Sequence, residues 1–174
     1  MESTRMEQID QYLTFSISRE EYALSVSNVK EILEVPPITR IPRMPPFMTG
    51  VFNLRGNVVP LIDLRAKFGL GATEMTVETA IVVIEIPTAA TEGGKLLTLG
   101  IFAEAVHKVI TLDAASIESP PNIGLDVDTK FIQGIGRVDD RFITILSITE
   151  IMSQGEIEEH LVPEKLADAT ILSV

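Results

Sequence analysis

The chain has 174 residues and carries 25 acidic against 14 basic side chains, a formal net charge of −11. That balance repels phosphate backbones and leaves no general footprint for a nucleic-acid partner. Cysteine is absent, which excludes disulfides and thiolate metal sites, and no apolar run approaches the roughly 18 residues needed to cross a membrane as a helix. The polar opening MESTRMEQIDQ lacks the apolar stretch of a signal peptide, so a cytoplasmic protein without direct membrane insertion is expected. Hydrophobic residues make up 45%, with no Trp and few aromatics, so Val, Ile and Leu must fill the core; that bias favours β structure.

Residues 1–10 read as a flexible polar lead. Leu13, Phe15 and Ile17 then alternate with polar partners as a first strand, Arg19, Glu20 and Glu21 make a charged turn, and Tyr22, Leu24 and Val26 begin a second strand. Ser27 and Asn28 suit a short turn before a strand over 32–35. Prolines at 36, 37, 42, 45 and 46 exclude helix and a continuous central strand, while Ile38 and Ile41 can anchor that segment. The next hydrophobic stretch, FMTGVFNLRGNVVPLIDL at 47–64, reads as a compact hairpin. Gly56 and Asn57 are placed at its turn, and Pro60 puts the second strand at an edge or a bulge. Arg55 is its one charge near the tip, either exposed or held against backbone or carboxylates.

A helical turn over 66–71 ends at Gly69 and Gly71. The polar connection 74–79 offers only Met75 and Val77 for burial. Residues 80–86 are the most strand-like run, 87–95 form an exposed loop, and 96–102 return as a strand. A turn at 103–106 leads into a strand at 108–112, a helical turn within 113–119, an irregular connection around Pro120 and Pro121, and an exposed segment at 127–130. FIQGIGRVDDRFITILSI at 131–148 repeats the first hairpin at an offset of 84 residues, and IFAEAVHKV at 101–109 echoes LSVSNVKEI at 24–32 at an offset of 77. Two echoes in the same order indicate a duplicated unit of roughly 80 residues. A brief helical turn at 149–152 and an acidic, helix-prone segment at 156–160 follow.

Catalytic signatures are missing: no nucleophile elbow, phosphate loop, dinucleotide fingerprint or zinc-protease motif appears, and no pair among the acidic residues stands out. His107 and His160 read as surface or structural residues, and Glu156, Glu158 and Glu159 as a solvated patch. No cofactor or metal is expected, and the chain reads as a binding module rather than an enzyme. A small enzyme with an unrecognised acidic site is the alternative from another class.

The hairpin segment GVFNLRGNVVPLIDL at 50–64, with QYLTFSI, EEYAL, VKEIL, TRIPRMPPF and FIQGIG around it in order, resembles the CheW-like domain family. The resemblance covers residues 10–152 and leaves no room for a kinase core, so it implies a stand-alone coupling protein. Its implied fold is all-β, two SH3-like five-stranded barrel lobes, one over about 20–78 and the other over about 79–148 with strands exchanged at the termini. Residues 153–174 are left as a tail or docked helix. The implied function is a non-catalytic adaptor between methyl-accepting chemoreceptors and the histidine kinase CheA in membrane-bound arrays. A scaffold of a non-flagellar pathway is the close alternative. The implied partners are the CheA regulatory domain and the receptor's cytoplasmic hairpin tip, with weak or no self-association in isolation. Carried over by position, Val29, Glu31, Gly50 and Arg55 belong to a receptor groove between lobes. Asn53, Gly56 and Pro60 shape the hairpin, and Val58 and Leu61 face the kinase.

Overall fold

Alternating apolar and polar side chains dictate strands along most of the chain, and the computed structural model, which describes residues 9–87, 96–120 and 127–161, contains them. In order these are β1 (Ile9–Ile17), β2 (Glu20–Ser25), β3 (Val29–Glu34), β4 (Met48–Leu54) and β5 (Asn57–Ile62), then a one-turn helix α1 (Leu64–Lys67). The second half supplies β6 (Ala80–Pro87), β7 (Leu96–Ala103), β8 (Ala105–Asp113), β9 (Ile117–Glu118), β10 (Ile132–Val138) and β11 (Arg141–Leu146). One sheet has the order β8-β1-β2-β11-β10-β9 and the other β3-β6-β7-β5-β4. The all-β, two-lobed architecture is therefore present, with the two-residue β9 making one lobe six-stranded.

The repeat is legible strand by strand. Adding 84 to β4 and β5 gives β10 and β11. Both hairpins carry the same irregularity in pairing, at Met48/Gly50 and at Ile132/Gly134. Yet the lobes are not the two halves of the chain. The β1–β2 hairpin joins strands from the second half through a parallel β2–β11 pairing, and β6–β7 joins strands from the first half through a parallel β5–β7 pairing. The expected bounds of about 20–78 and 79–148 therefore place β2 and the β6–β7 hairpin in the other lobe's range, and the exchanged strands are these hairpins rather than the termini alone. Each sheet is completed by the other repeat's strands, because the hairpin of each repeat pairs in the sheet built from the rest of the other.

This exchange creates three cores. Tyr12, Ala23, Ile110, Leu112, Ile143 and Ile145 fill the six-stranded barrel, and Phe52, Val59, Leu61, Ile81, Val83 and Phe102 fill the five-stranded one. Between the barrels lies a larger cluster that includes Phe15, Ile17, Leu24, Ile62, Val82, Ile84 and Ile101. Adjacent residues of β6 face different cores, Ile81 and Val83 one barrel, Val82 and Ile84 the centre. A strand buried on both faces reads as a continuous apolar run, which is why 80–86 looks so strand-like.

Several local expectations shift. The first strand starts at Ile9, inside the expected flexible lead, because Ile9 and Asp10 pair with Asp113 and Leu112. Met75 and Val77 stay exposed, Val77 fully, while Val127 is buried in the central core. Only Glu104 separates β7 from β8, so the expected turn at 103–106 is a single bent residue. The expected loop at 88–95, the connection at 121–126 and the tail beyond 161 lie outside the described residues.

Glu156 is a clamp rather than part of a solvated patch. Lys67 Nζ, on a side chain only 7% exposed, lies 2.7 Å from its Oε2 and sits 4.1 Å from the centre of the Phe47 ring. Burial disfavours the Glu156 carboxylate, but hydrogen bonds from Lys67 and from Ser153 outweigh it and hold the group below its ordinary range. The clamp seats the segment whose Ile157 and Leu161 close the central core.

Because each sheet contains strands from both halves, the lobes should unfold as one unit. Leu24→Ala and Ile84→Ala, in different sheets but in one core, should each cost about 2–5 kcal/mol. Hydrogen exchange under denaturant should show both sheets losing protection at one midpoint; a mutation that melts one sheet while the other stays protected would contradict the shared core.

Candidate functional site

The exposed end of the five-stranded barrel is built from the hairpin turn upward. Leu54 pairs with Asn57, leaving Arg55 and Gly56 as a two-residue turn with φ of 51° and 88°. The turn thus lies one residue earlier than expected, and Asn57 begins β5. Such turns match strand twist when both central residues have positive φ, which Gly56 adopts freely and Arg55 adopts at a cost. Asn53 Oδ1 accepts the Gly56 N–H at 2.9 Å and braces the turn.

Held in that conformation, Arg55 reaches β3. Its Nη1 donates to Glu31 Oε2 at 2.6 Å and its Nη2 to Oε1 at 2.9 Å, a bidentate pair. Since β3 and β4 are the two outer strands of that sheet, the pair latches one edge to the hairpin at the other. The hydrogen bonds from Arg55 hold the Glu31 carboxyl below its ordinary value, and the same contact raises the guanidinium. The Arg55 side chain remains 68% exposed, against 20% for Glu31. Of the two settings expected for Arg55, carboxylate-held and exposed, it has both.

The other expected residues separate. Gly50 is buried at the place where residue 39 crosses the sheet: a Cβ there would lie 2.3 Å from the Thr39 carbonyl oxygen. Thr39 is fixed by two backbone hydrogen bonds to Val51, at 2.9 and 2.8 Å. Gly50 therefore offers no surface to a partner and permits a close crossing instead. Leu61, expected at the kinase contact, is fully buried in the barrel core and unavailable to one, while Val58 is 45% exposed. Pro60 is neither at an edge nor at the bulge. It faces Val51, whose N–H and C=O go to Thr39, so the missing proline N–H breaks no bond to β4, and pairing to β7 starts only at Leu61.

Val29 is half-buried and packs on the central core, as does Val106 at the repeat-related position. The space between lobes at their centre is packed, so any groove there is a shallow rim over that core. Exposed apolar strand residues that the motif did not single out include Ile32, Val109 and Phe142. Val109 is the equivalent of Ile32 at offset 77, and Phe142 of Val58 at offset 84, so each barrel presents the same exposed pair. The offsets themselves, applied to solvent-facing strand positions, carried that signal. Among the described residues no group of three or more His, Asp and Glu could hold a metal ion, and no helix is long and apolar enough to cross a membrane.

A family model described as the CheW-like domain matches residues 11–156. The chain belongs to the CheW-like domain family. Chemotaxis protein CheW of Helicobacter pylori is 35% identical over 148 residues, covering 85% of this chain and 84% of that protein. Chemotaxis protein CheW of Bacillus subtilis is 32% identical over 157 residues, 90% of this chain and 94% of the relative. The crystal structure of the scaffolding protein TtCheW from Thermoanaerobacter tengcongensis superposes with a TM-score of 0.71 at 34% identity, covering 83% of this chain and 88% of that one. In this CheW-like domain the Asn-Leu-Arg-Gly turn is thus an exposed, internally latched corner.

Two outcomes follow from this corner. With its folded-state value depressed, Glu31 contributes stability that is present above its ordinary pKa and disappears as pH falls through the lowered value. An NMR titration should find Glu31 protonating below the usual glutamate range, and Arg55→Ala should return it there. Gly50→Ala should destabilise the fold by about 1–3 kcal/mol through the clash with the Thr39 carbonyl, read as a lower thermal midpoint.

Proposed function

We propose that the chain is a non-catalytic adaptor of a chemosensory array, joining the cytoplasmic hairpin tip of chemoreceptors to the regulatory domain of the histidine kinase CheA. One observation carries the two-sided character: Ile32 with Val58 on one barrel and Val109 with Phe142 on the other are exposed apolar pairs at equivalent positions. Exposed apolar side chains suit protein contacts, and a molecule with such a face on each barrel, besides the rim between them, has room for more than one partner at once.

The receptor tip lies along the rim where Val29 and Val106 cover the central core, with Arg55 and Glu31 supplying polar register. Arg55 suits recognition because its backbone and one carboxylate already fix it, so little side-chain freedom remains to be lost on binding. The kinase domain packs on the barrel face that carries Ile32 and Val58. The family membership and the chemotaxis names of the relatives support this reading. Recruitment to the membrane then comes from the receptors rather than from any lipid contact of the chain.

The test is binding of the purified chain to a CheA regulatory domain and to a receptor cytoplasmic fragment, separately and together. Both should bind. Arg55→Ala should weaken the receptor fragment while leaving the thermal midpoint nearly unchanged, and Ile32→Glu should weaken the kinase domain by about tenfold or more. A well-folded chain that binds neither would overturn the proposal.

A further inference from the structure

The geometry points to a binding site for a phosphate group at the end of the six-stranded barrel. A recess of about 400 Å³ there is lined by Ser16, Arg19, Glu21, His107, Lys108 and Arg141. Three fixed cations face one carboxylate in a chain whose net charge is −11.

The backbone is arranged so that these cations are left for something else. Arg19 sits at φ 65° in the β1–β2 turn, and its N–H donates to Glu104 Oε1 at 3.1 Å, with Glu104 held in turn by Arg65. Lys108 is pinned through its main chain, for the buried Thr14 hydroxyl donates to its carbonyl at 2.8 Å and accepts its N–H at 3.1 Å. Among the described residues neither the Arg19 nor the Lys108 side chain has an ionic partner. Arg141 gives Glu21 a single contact, Nη1 to Oε2 at 3.1 Å, and keeps its other donors. Ser16 Oγ and His107 Nε2 are hydrogen-bonded at 2.6 Å and line the same wall.

Comparison of the barrels shows what is unusual. Lys108 stands where the other barrel has Glu31, and Asp139 stands where it has Arg55. There the pair closes into a bidentate latch; here the charges are reversed and no Lys108–Asp139 ion pair forms. The recess stays open, its lining holding three cations against the one carboxylate of Glu21. Two guanidinium forks and an ammonium offer donors in more directions than a carboxylate's two oxygens can use, and the hydrogen-bonded Ser16–His107 pair lines the wall beside them. These donors suit a tetrahedral group, and among the lining residues the cations exceed the carboxylates by two, the sign of balance a phosphate carrying about −1.5 to −2 needs. The phosphate is either a free ion or one esterified to a hydroxyl.

The experiment is a two-dimensional NMR titration of the intact chain with inorganic phosphate and, separately, with O-phosphoserine, at constant ionic strength held with sodium chloride. Saturable shifts should concentrate at residues 16–21, 107–108 and 141. Arg19→Glu and Lys108→Glu should each weaken binding by about tenfold without lowering the thermal midpoint in the absence of phosphate. Tighter binding of phosphoserine assigns an esterified phosphate, and equal or tighter binding of inorganic phosphate assigns the free ion. Shifts that chloride reproduces, that spread to Arg40 and Arg43, or that survive Lys108→Glu in a folded protein overturn the site.

Discussion

Two hairpins buried on both faces hold this molecule together. β1–β2 and β6–β7 each complete a barrel built mostly from the other half of the chain, and each turns its second face to the central core. Fully burying a Val, Ile or Leu contributes about 1.5–3 kcal/mol, so strands that bury both faces concentrate the hydrophobic driving force in a few segments. The peripheral parts inherit their positions from these hairpins. The Pro-rich strap crosses above Gly50, β9 crosses above Gly134 in the same manner, and the C-terminal segment closes the core's end under the Lys67 clamp.

On this rigid frame the two barrels differ mainly in their electrostatics. One end is locked by Arg55 and Glu31, which are satisfied by each other and still largely open to solvent on the arginine side. The other end carries cations whose side chains are not so satisfied. The repeat carries the same backbone twice, and different residues at equivalent positions give the two barrel ends different charge arrangements. The apolar pairs changed less, since Ile32 and Val58 became Val109 and Phe142, both apolar and both exposed.

Much of this was legible in the sequence because strand alternation and the repeat are local signals. The 84-residue offset located both hairpins, and the structure brings Asn53, expected to shape the hairpin, and Arg55, expected in a groove, to one corner. What escaped was set by long-range pairing. Nothing local tells Leu61 from Val58, since both are apolar residues of one strand, and only the direction of the pleat makes the first a core residue and the second a surface one. Which hairpins are exchanged was hidden for the same reason: the sheet that β2 joins is set by its pairing with β11, with Tyr22 opposite Thr144, and the sheet that β7 joins by its pairing with β5, with Gly100 opposite Leu61. Glu156 reads as a solvated acid until Lys67, 89 residues earlier, is brought beside it.

The exchange also bears on how such a chain could arise. A half-length ancestor with one copy of the unit would carry a hairpin with no sheet of its own to join. With the pairing seen here it would finish its barrels by trading that hairpin with a second molecule, giving a symmetric swapped dimer whose folding depends on concentration. Joining two copies end to end makes the trade intramolecular and frees stability from concentration. It also ends the enforced identity of the two sides, and a symmetric dimer cannot acquire a latch on one barrel and an open basic recess on the other.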